Sequence, residues 1–98
     1  MHIKIHKSYR YVVAICDSEL LGKTFEQGDR ILEVRENFYA GEEIDEKELL
    51  KQINKLSAED ATFNIVGKKS VEIAEKAGII SKDGIKTVQG IPFSLVLL

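Results

Sequence analysis

The sequence contains few of the residues that mark secreted, metal-binding or membrane-spanning proteins. Its 98 residues include one cysteine, and a single cysteine cannot form an internal disulfide. No apolar run approaches the roughly 20 residues of a membrane-spanning helix, and the polar start at residues 1–4 lacks the apolar core of a signal peptide. We therefore expect a cytoplasmic protein with no membrane partner.

An excess of positive charge is also lacking. The chain has 14 Lys and Arg residues against 16 Asp and Glu residues, a formal net charge of −2. A protein that binds nucleic acid through bulk positive charge has the opposite balance. Any nucleic-acid binding by this chain therefore requires a local basic patch.

Clustered metal ligands are equally scarce. The histidines, His2 and His6, fall on one predicted strand, where about 3.3 Å per residue separates them by about 13 Å. That distance is too long for two ligands of one metal ion. We therefore expect neither a metal nor another cofactor, and the residues supply no identifiable catalytic set.

The apolar patterning that is present predicts one compact α+β domain over residues 1–98, built on a mixed sheet. Hydrophobic residues make up 44% of the chain, enough for a core at this length. Strand-period alternation over residues 2–7 and an apolar run over 11–16 predict an N-terminal hairpin whose second strand is central. A short turn then begins at Asp17 or Ser18, either of which suits an N-cap, and ends at Gly22.

The remainder of the chain predicts two main helices and one β-α-β unit. Asp45 and Glu48 have the spacing of a capping box before a helix over residues 45–56. A strand over 62–66, a helix over 67–77 and a strand over 85–88 form the β-α-β unit, which we expect to be right-handed. The other expectations are a strand over 30–35, an aromatic loop or irregular strand over 37–41, and a last strand over 93–97.

The first candidate site is the segment 16–23, which places a thiol, a carboxylate, a glycine and a lysine directly after a buried strand. It is not a phosphate loop, because Asp17 stands where that motif needs glycine five positions before Gly22. A nucleophilic Cys16 would have to be a thiolate, whereas the neighbouring Asp17 raises a thiol pKa. A buried structural cysteine is the expected role.

The second candidate site is the start of the helix at Gly67. Free backbone amides, the positive end of the helix dipole and two lysines there suit a phosphate or a carboxylate; alternatively, the lysines are solvated surface residues. Because strand-to-helix loops gather at the carboxyl ends of strands, we expect both sites on one side of the molecule. The candidate binding residues are Cys16, Asp17, Lys23, Tyr39, Asn64, Gly67, Lys68 and Lys69.

Four segments in order carry a resemblance to a known family. They are Cys-Asp-Ser-Glu-Leu-Leu-Gly-Lys at 16–23, Phe-Tyr-Ala-Gly-Glu at 38–42, Asn-Ile-Val-Gly at 64–67 and Gly-Ile-Pro at 90–92. Over nearly its whole length the chain resembles an uncharacterised archaeal family catalogued as domain of unknown function four-two-four. The resemblance implies a stand-alone cytoplasmic α+β domain in archaea and supplies no activity or ligand. Where the family tends to be polar after its last proline, this chain is apolar over 93–98.

Three functions remain open. The residues favour a protein without catalytic activity, and an enzyme stays an alternative within the second of the three. The preferred one is a non-catalytic interaction module for RNA or a ribonucleoprotein, by analogy with other small archaeal domains. Lys23, Lys68 and Lys69 would supply its cations, while Phe38 and Tyr39 would either stack on bases or close the core beneath the 16–22 loop. The second function is a small-anion or nucleotide-binding domain at the Gly67 helix start. The third is a protein-binding or homo-oligomeric unit that uses the apolar C-terminal strand as a pairing edge.

Overall fold

A mixed sheet forms the centre of the computed structural model, which describes all residues from 1 to 98. In chain order the strands of the protein are β1 (His2–Lys7), β2 (Tyr11–Cys16), β3 (Thr24–Gln27), β4 (Arg30–Glu33), β5 (Glu42–Glu43), β6 (Thr62–Val66), β7 (Lys86–Val88) and β8 (Ile91–Leu97). Six of them form the main sheet in the order β5-β1-β2-β6-β8-β7, and β3 and β4 form a separate two-stranded hairpin. In the main sheet β2 and β6 are parallel, and the other neighbouring strands are antiparallel.

Three α-helices complete the α+β fold, α1 (Glu36–Tyr39), α2 (Glu46–Ser57) and α3 (Lys68–Lys76). The predicted N-cap of α2 is confirmed, because the Asp45 carboxylate accepts a hydrogen bond from the Glu48 amide at 2.9 Å. The predicted N-terminal hairpin is also confirmed, with β2 in the interior of the sheet. None of the helices has the length and apolar character that crossing a bilayer demands.

The two faces of the main sheet are covered differently. Helices α2 and α3 pack on one face, which we call the helix face, through apolar side chains such as Val13, Phe63 and Leu49. On the second face the β3–β4 hairpin and α1 pack over Ala14 and Cys16, at one end of the strands. Strand alternation makes the helix face a continuous core, whereas the second face is covered over part of its area.

Two predicted elements differ in the structure, and one strand was not predicted. Residues 24–27 form β3, which the sequence pattern did not reveal because Phe25 is its one half-buried position. The expected loop or irregular strand over 37–41 is wrong: the Arg35 carbonyl accepts from the amides of Phe38 and Tyr39, which closes the short helix α1. The β-α-β unit is present but split, since β8 lies between β6 and β7 and is antiparallel to both.

The cap of α2 gives a test of the fold. Asp45→Ala removes the acceptor for the Glu48 amide and should lower the free energy of unfolding by about 1 kcal/mol. Lys51→Ala, at an exposed position in the middle of the same helix, serves as the control and should change it by less than about 0.5 kcal/mol. Urea denaturation followed by circular dichroism measures both, and equal effects would show that the cap contributes nothing specific.

Candidate functional site

The first site residue, Asp17, directly follows β2 and places its carboxylate on the N-terminus of α3. One oxygen accepts hydrogen bonds from the backbone amide and the hydroxyl of Ser70, at 2.8 and 2.7 Å, and the other accepts from the Lys69 amide at 3.1 Å. Asp17 is 4% exposed. A buried carboxylate with three donors, at the positive end of a helix dipole, is a stabilising arrangement.

Gly67 permits this contact. Its backbone has φ of +111°, and a Cβ built there would lie 2.3 Å from Cγ of Asp17. Its amide donates to the Pro92 carbonyl at 2.8 Å, and the Asp17 amide donates to the Val66 carbonyl at 3.1 Å. Asp17 and Gly67 therefore clamp β2, β6, β8 and α3 together at one end of the sheet.

This clamp corrects two expectations. The side chain of Asp17 does not cap the 3-10 turn Ser18–Leu20 that follows it, and Ser18 makes no capping bond either. The amides of Lys69 and Ser70 are not free for an external phosphate or carboxylate, because they donate to Asp17. The protein's own carboxylate thus fills the place in which the sequence predicted a small anion.

Lys68 and Lys69 are exposed at the start of α3. Lys69 lines a shallow depression together with Met1 and two acidic residues, Glu46 and Glu72. Both carboxylates contact the ammonium group of Lys76, Glu46 at 2.9 Å and Glu72 at 3.8 Å. Charges of both signs therefore surround the side chain of Lys69.

Cys16 is fully buried in the sheet. Burial, reinforced by the charge of the neighbouring Asp17, raises the pKa of its thiol to about 11. The thiolate is the reactive form of cysteine, so a thiol with this pKa is inert at neutral pH. The expectation that Cys16 is a buried cysteine is confirmed.

Tyr39 is buried in the core of the second face, and the half-buried Phe38 packs against that core. The ring of Phe38 stacks on His6 with centroids 4.7 Å apart and meets Tyr39 edge-on at 5.1 Å. Tyr39 is 7% exposed, it packs in the same cluster as Leu20 and Cys16, and burial raises the pKa of its phenol to about 12. The interpretation that the two aromatic residues close the core beneath the 16–22 loop is therefore confirmed.

A groove lies beside Tyr39 on the second face of the sheet, at the edge of the area that the β3–β4 hairpin and α1 cover. It has a volume of about 370 Å³ and lies between β4 and the strands β6 and β8. Asn64 lines it with its side chain half-buried, and two large aliphatic residues on its walls are mostly exposed, Ile31 at 61% and Leu95 at 59%. Leu97 continues the same face of β8 and is 73% exposed. We call Ile31, Leu95 and Leu97 the apolar strip.

The predicted site residues thus separate into three groups. Cys16, Asp17 and Gly67 adjoin one another in the clamp region, Tyr39 and Asn64 line the groove, and the three lysines are exposed. Lys23 follows the 3-10 turn, and its carbonyl accepts from the Val34 amide at 2.9 Å. That any of these residues binds a ligand stays a prediction.

Sequence reasoning missed Ile31 as a surface residue. The alternation in residues 30–35 predicted a half-buried strand, and in β4 it is Leu32 that is buried while Ile31 is exposed. Leu95 and Leu97 were recognised only as part of an apolar strand. Their period-2 spacing places them on one face of the strand, but no local sequence signal shows that no other element packs on that face.

The Gly67 contact predicts a specific loss of stability. Gly67→Ala combines a positive φ with a clash against Asp17, so we expect it to lower the free energy of unfolding by roughly 3 kcal/mol. Gly28→Ala is the matched control, because Gly28 has φ of +61° and no heavy atom within 4 Å of a Cβ placed there; strain alone should cost about 1 kcal/mol. Equal losses in urea denaturation would contradict a role for the Asp17 contact.

The Cys16 environment predicts slow alkylation. At pH 8 iodoacetamide should modify the folded protein far more slowly than the urea-unfolded protein, because thiolate is scarce and the sulfur is buried. Because folding raises the thiol pKa from 9.0 to about 11, the stability that the protonated thiol contributes is present below pH 9 and is lost as the pH rises towards 11. Equal labelling rates for folded and unfolded protein at pH 8 would contradict this prediction.

Comparisons with known proteins support the fold and assign the chain to a family. The crystal structure of an uncharacterized conserved protein from Methanopyrus kandleri matches with a TM-score of 0.84 and 26% sequence identity, over 98% of this chain and 90% of that one. A search of curated proteins gave no match. The model of the family described as protein of unknown function (DUF424) matches residues 6–98. The chain therefore belongs to the DUF424 family.

Proposed function

We propose that this protein is a non-catalytic cytoplasmic interaction module that binds another protein surface through the apolar strip. The observation that carries the proposal is the exposure of Ile31 and Leu95, at 61% and 59%, on the walls of one groove. Leu97, 73% exposed, extends this surface along the same face of β8. Contiguous exposed aliphatic residues are a common mark of protein-binding sites. Burying them against a partner is favourable by roughly 25 cal/mol for each Å² of apolar surface removed from water.

The groove is mostly apolar, and this determines which kind of partner surface it can bind. Glu33 is the charged residue among those that line it, and Arg35 contacts the Glu33 carboxylate at 2.9 Å. An apolar centre with a paired charge at its rim is typical of protein interfaces. The complementary surface is therefore an uncharged segment with aliphatic side chains.

Association with RNA or a ribonucleoprotein receives less support from the contacts. One face of the half-buried Phe38 ring stacks on His6, which leaves less of the ring for stacking on a base. None of Lys23, Lys68 and Lys69 lines the groove. The small-anion hypothesis has lost two of its backbone donors to Asp17. A protein partner therefore accounts best for the surface.

Variants of the two surfaces separate a protein partner from RNA. In affinity purification from native cells we expect Ile31→Asn with Leu95→Asn to lose a defined protein that the wild type retains after ribonuclease treatment. A second variant, with Lys23, Lys68 and Lys69 each replaced by Ala, should retain it equally. Both sets are exposed, so thermal stability should change little.

The opposite pattern would overturn the proposal. Retention that ribonuclease abolishes, and that falls only in the lysine variant with a flattened salt dependence, would establish RNA binding instead. Equal retention of every partner by all three proteins would show that neither surface is used.

A further inference from the structure

We propose that the partner at the outer edge of β8 is a second copy of this chain, paired with it across a two-fold axis. This inference rests on the proposed function, because it assigns an occupant to part of the apolar strip. It concerns the backbone edge beside Leu95 and Leu97, whereas the groove wall at Ile31 lies outside the pairing.

The outer edge of β8 is open over part of its length. β6 pairs with β8 from Phe93 to Leu97, but β7 pairs with it only from Ile91 to Phe93. The Ser94 hydroxyl donates to the Gly84 carbonyl at 2.9 Å, so the connection before β7 still approaches β8 at that residue. From Leu95 to Leu97 the strand has a paired neighbour on its β6 side alone.

This open edge lacks the features that prevent strand pairing. Folded proteins protect edge strands with lysines, other charges, prolines or bulges. The opposite edge of the sheet has such protection, with Lys4 and Lys7 on β1 and with β5 formed by Glu42 and Glu43. Residues 95–97 of β8 are Leu-Val-Leu, without charge or proline. The contrast between the two edges points to a contact at β8.

Two-fold symmetry and the position of β7 select one register. Antiparallel pairing of β8 with its own copy must place each residue pair symmetrically about the axis. With Val96 opposite Val96 of the second copy, Leu95 lies opposite Leu97, and the ladder lies within the open edge. A register shifted towards the start of β8 brings in Phe93, whose outer side Lys86 of β7 already occupies. A shift of one residue would pair a residue whose side chain lies on one face of the sheet with a residue whose side chain lies on the other face, so this register is excluded.

The selected register is self-complementary in its side chains. Leu95 and Leu97 of each chain meet on the second face, where both are mostly exposed in the single chain. No charged side chain lies on either strand, so two copies meet without like-charge repulsion. A partner chosen by charge would find nothing to recognise along this edge, and this favours a second copy over a charged peptide.

The ladder is short, so the dimer should be weak. Stable interfaces bury about 1,200 Å² or more in total, and pairing from Leu95 to Leu97 falls below that size. We therefore expect a monomer–dimer equilibrium that depends on protein concentration, and not an obligate dimer.

Sedimentation equilibrium of the purified chain tests the dimer. The weight-average mass should rise with concentration above the 11.0 kDa of one chain. Leu97→Glu places a charge opposite Leu95 of the second copy and should weaken dimerisation at least about tenfold. Ile5→Glu is the control, since Ile5 is an aliphatic residue on β1 and is 38% exposed, and it should leave the equilibrium unchanged.

A mixing experiment tests the register. Leu97→Glu and Leu95→Lys should each weaken self-association, but an equimolar mixture should recover it, because Glu at 97 then faces Lys at 95 across the axis. A mixture of Leu97→Glu with Leu97→Lys should recover less, since these residues lie diagonally. Circular dichroism confirms that each variant is folded.

Each outcome decides the inference. A constant mass of 11.0 kDa at all concentrations, or equal association of wild type and Leu97→Glu, would overturn the second copy as occupant. Equal recovery in the two mixtures would overturn the register. If the chain is monomeric but the variant with Ile31→Asn and Leu95→Asn still loses the retained protein, the second copy is overturned and the proposed function stands. If the chain dimerises and that variant retains the same proteins as the wild type, the second copy stands and the proposed function is overturned.

Discussion

The carboxylate of Asp17 on the N-terminus of α3 is the interaction on which the arrangement of the sheet end depends. A buried charge is costly unless donors compensate for it, and two amides and a hydroxyl from Lys69 and Ser70 do so. The same carboxylate follows β2 directly, so it fixes the parallel pair β2–β6 against the helix that follows β6. Gly67 is the residue that lets the two segments approach.

This clamp also explains why the protein's surface chemistry lies elsewhere. In many folds the N-terminus of a helix after a strand is a ligand site, since its amides are free. Here Asp17 accepts from two of them, the amides of Lys69 and Ser70, and Cys16 and Tyr39 at that end are buried. The exposed apolar surface lies towards the other end of β8, at Leu95 and Leu97. The contact of the clamp with Pro92 and the exposed leucines therefore lie at different ends of β8.

An element can be predicted from the sequence when the residues that stabilise it lie within the same short segment. Helix α2 was predictable because its cap, Asp45 with Glu48, and its apolar spacing lie within one segment. The partner of Asp17 was not, because Lys69 and Ser70 are more than 50 residues away; local reading assigned Asp17 to the turn beside it. β3 and α1 depend on tertiary packing of Phe25 and Tyr39. Ile31 and Leu95 are exposed because no other element of the fold packs over them. A local sequence pattern carries no information about that.

The apolar end of β8 contributes little to holding the fold together. Leu97 is 73% exposed, so removing its side chain from the single chain forfeits only a small part of its burial energy. The Methanopyrus protein has the same fold at 26% identity, which shows that most side chains of the fold can differ. An exposed leucine beside an open strand edge also favours aggregation. The proposed contact with a second protein surface would bury this leucine and remove that liability, which gives a reason for an exposed leucine that stabilises the monomer so little.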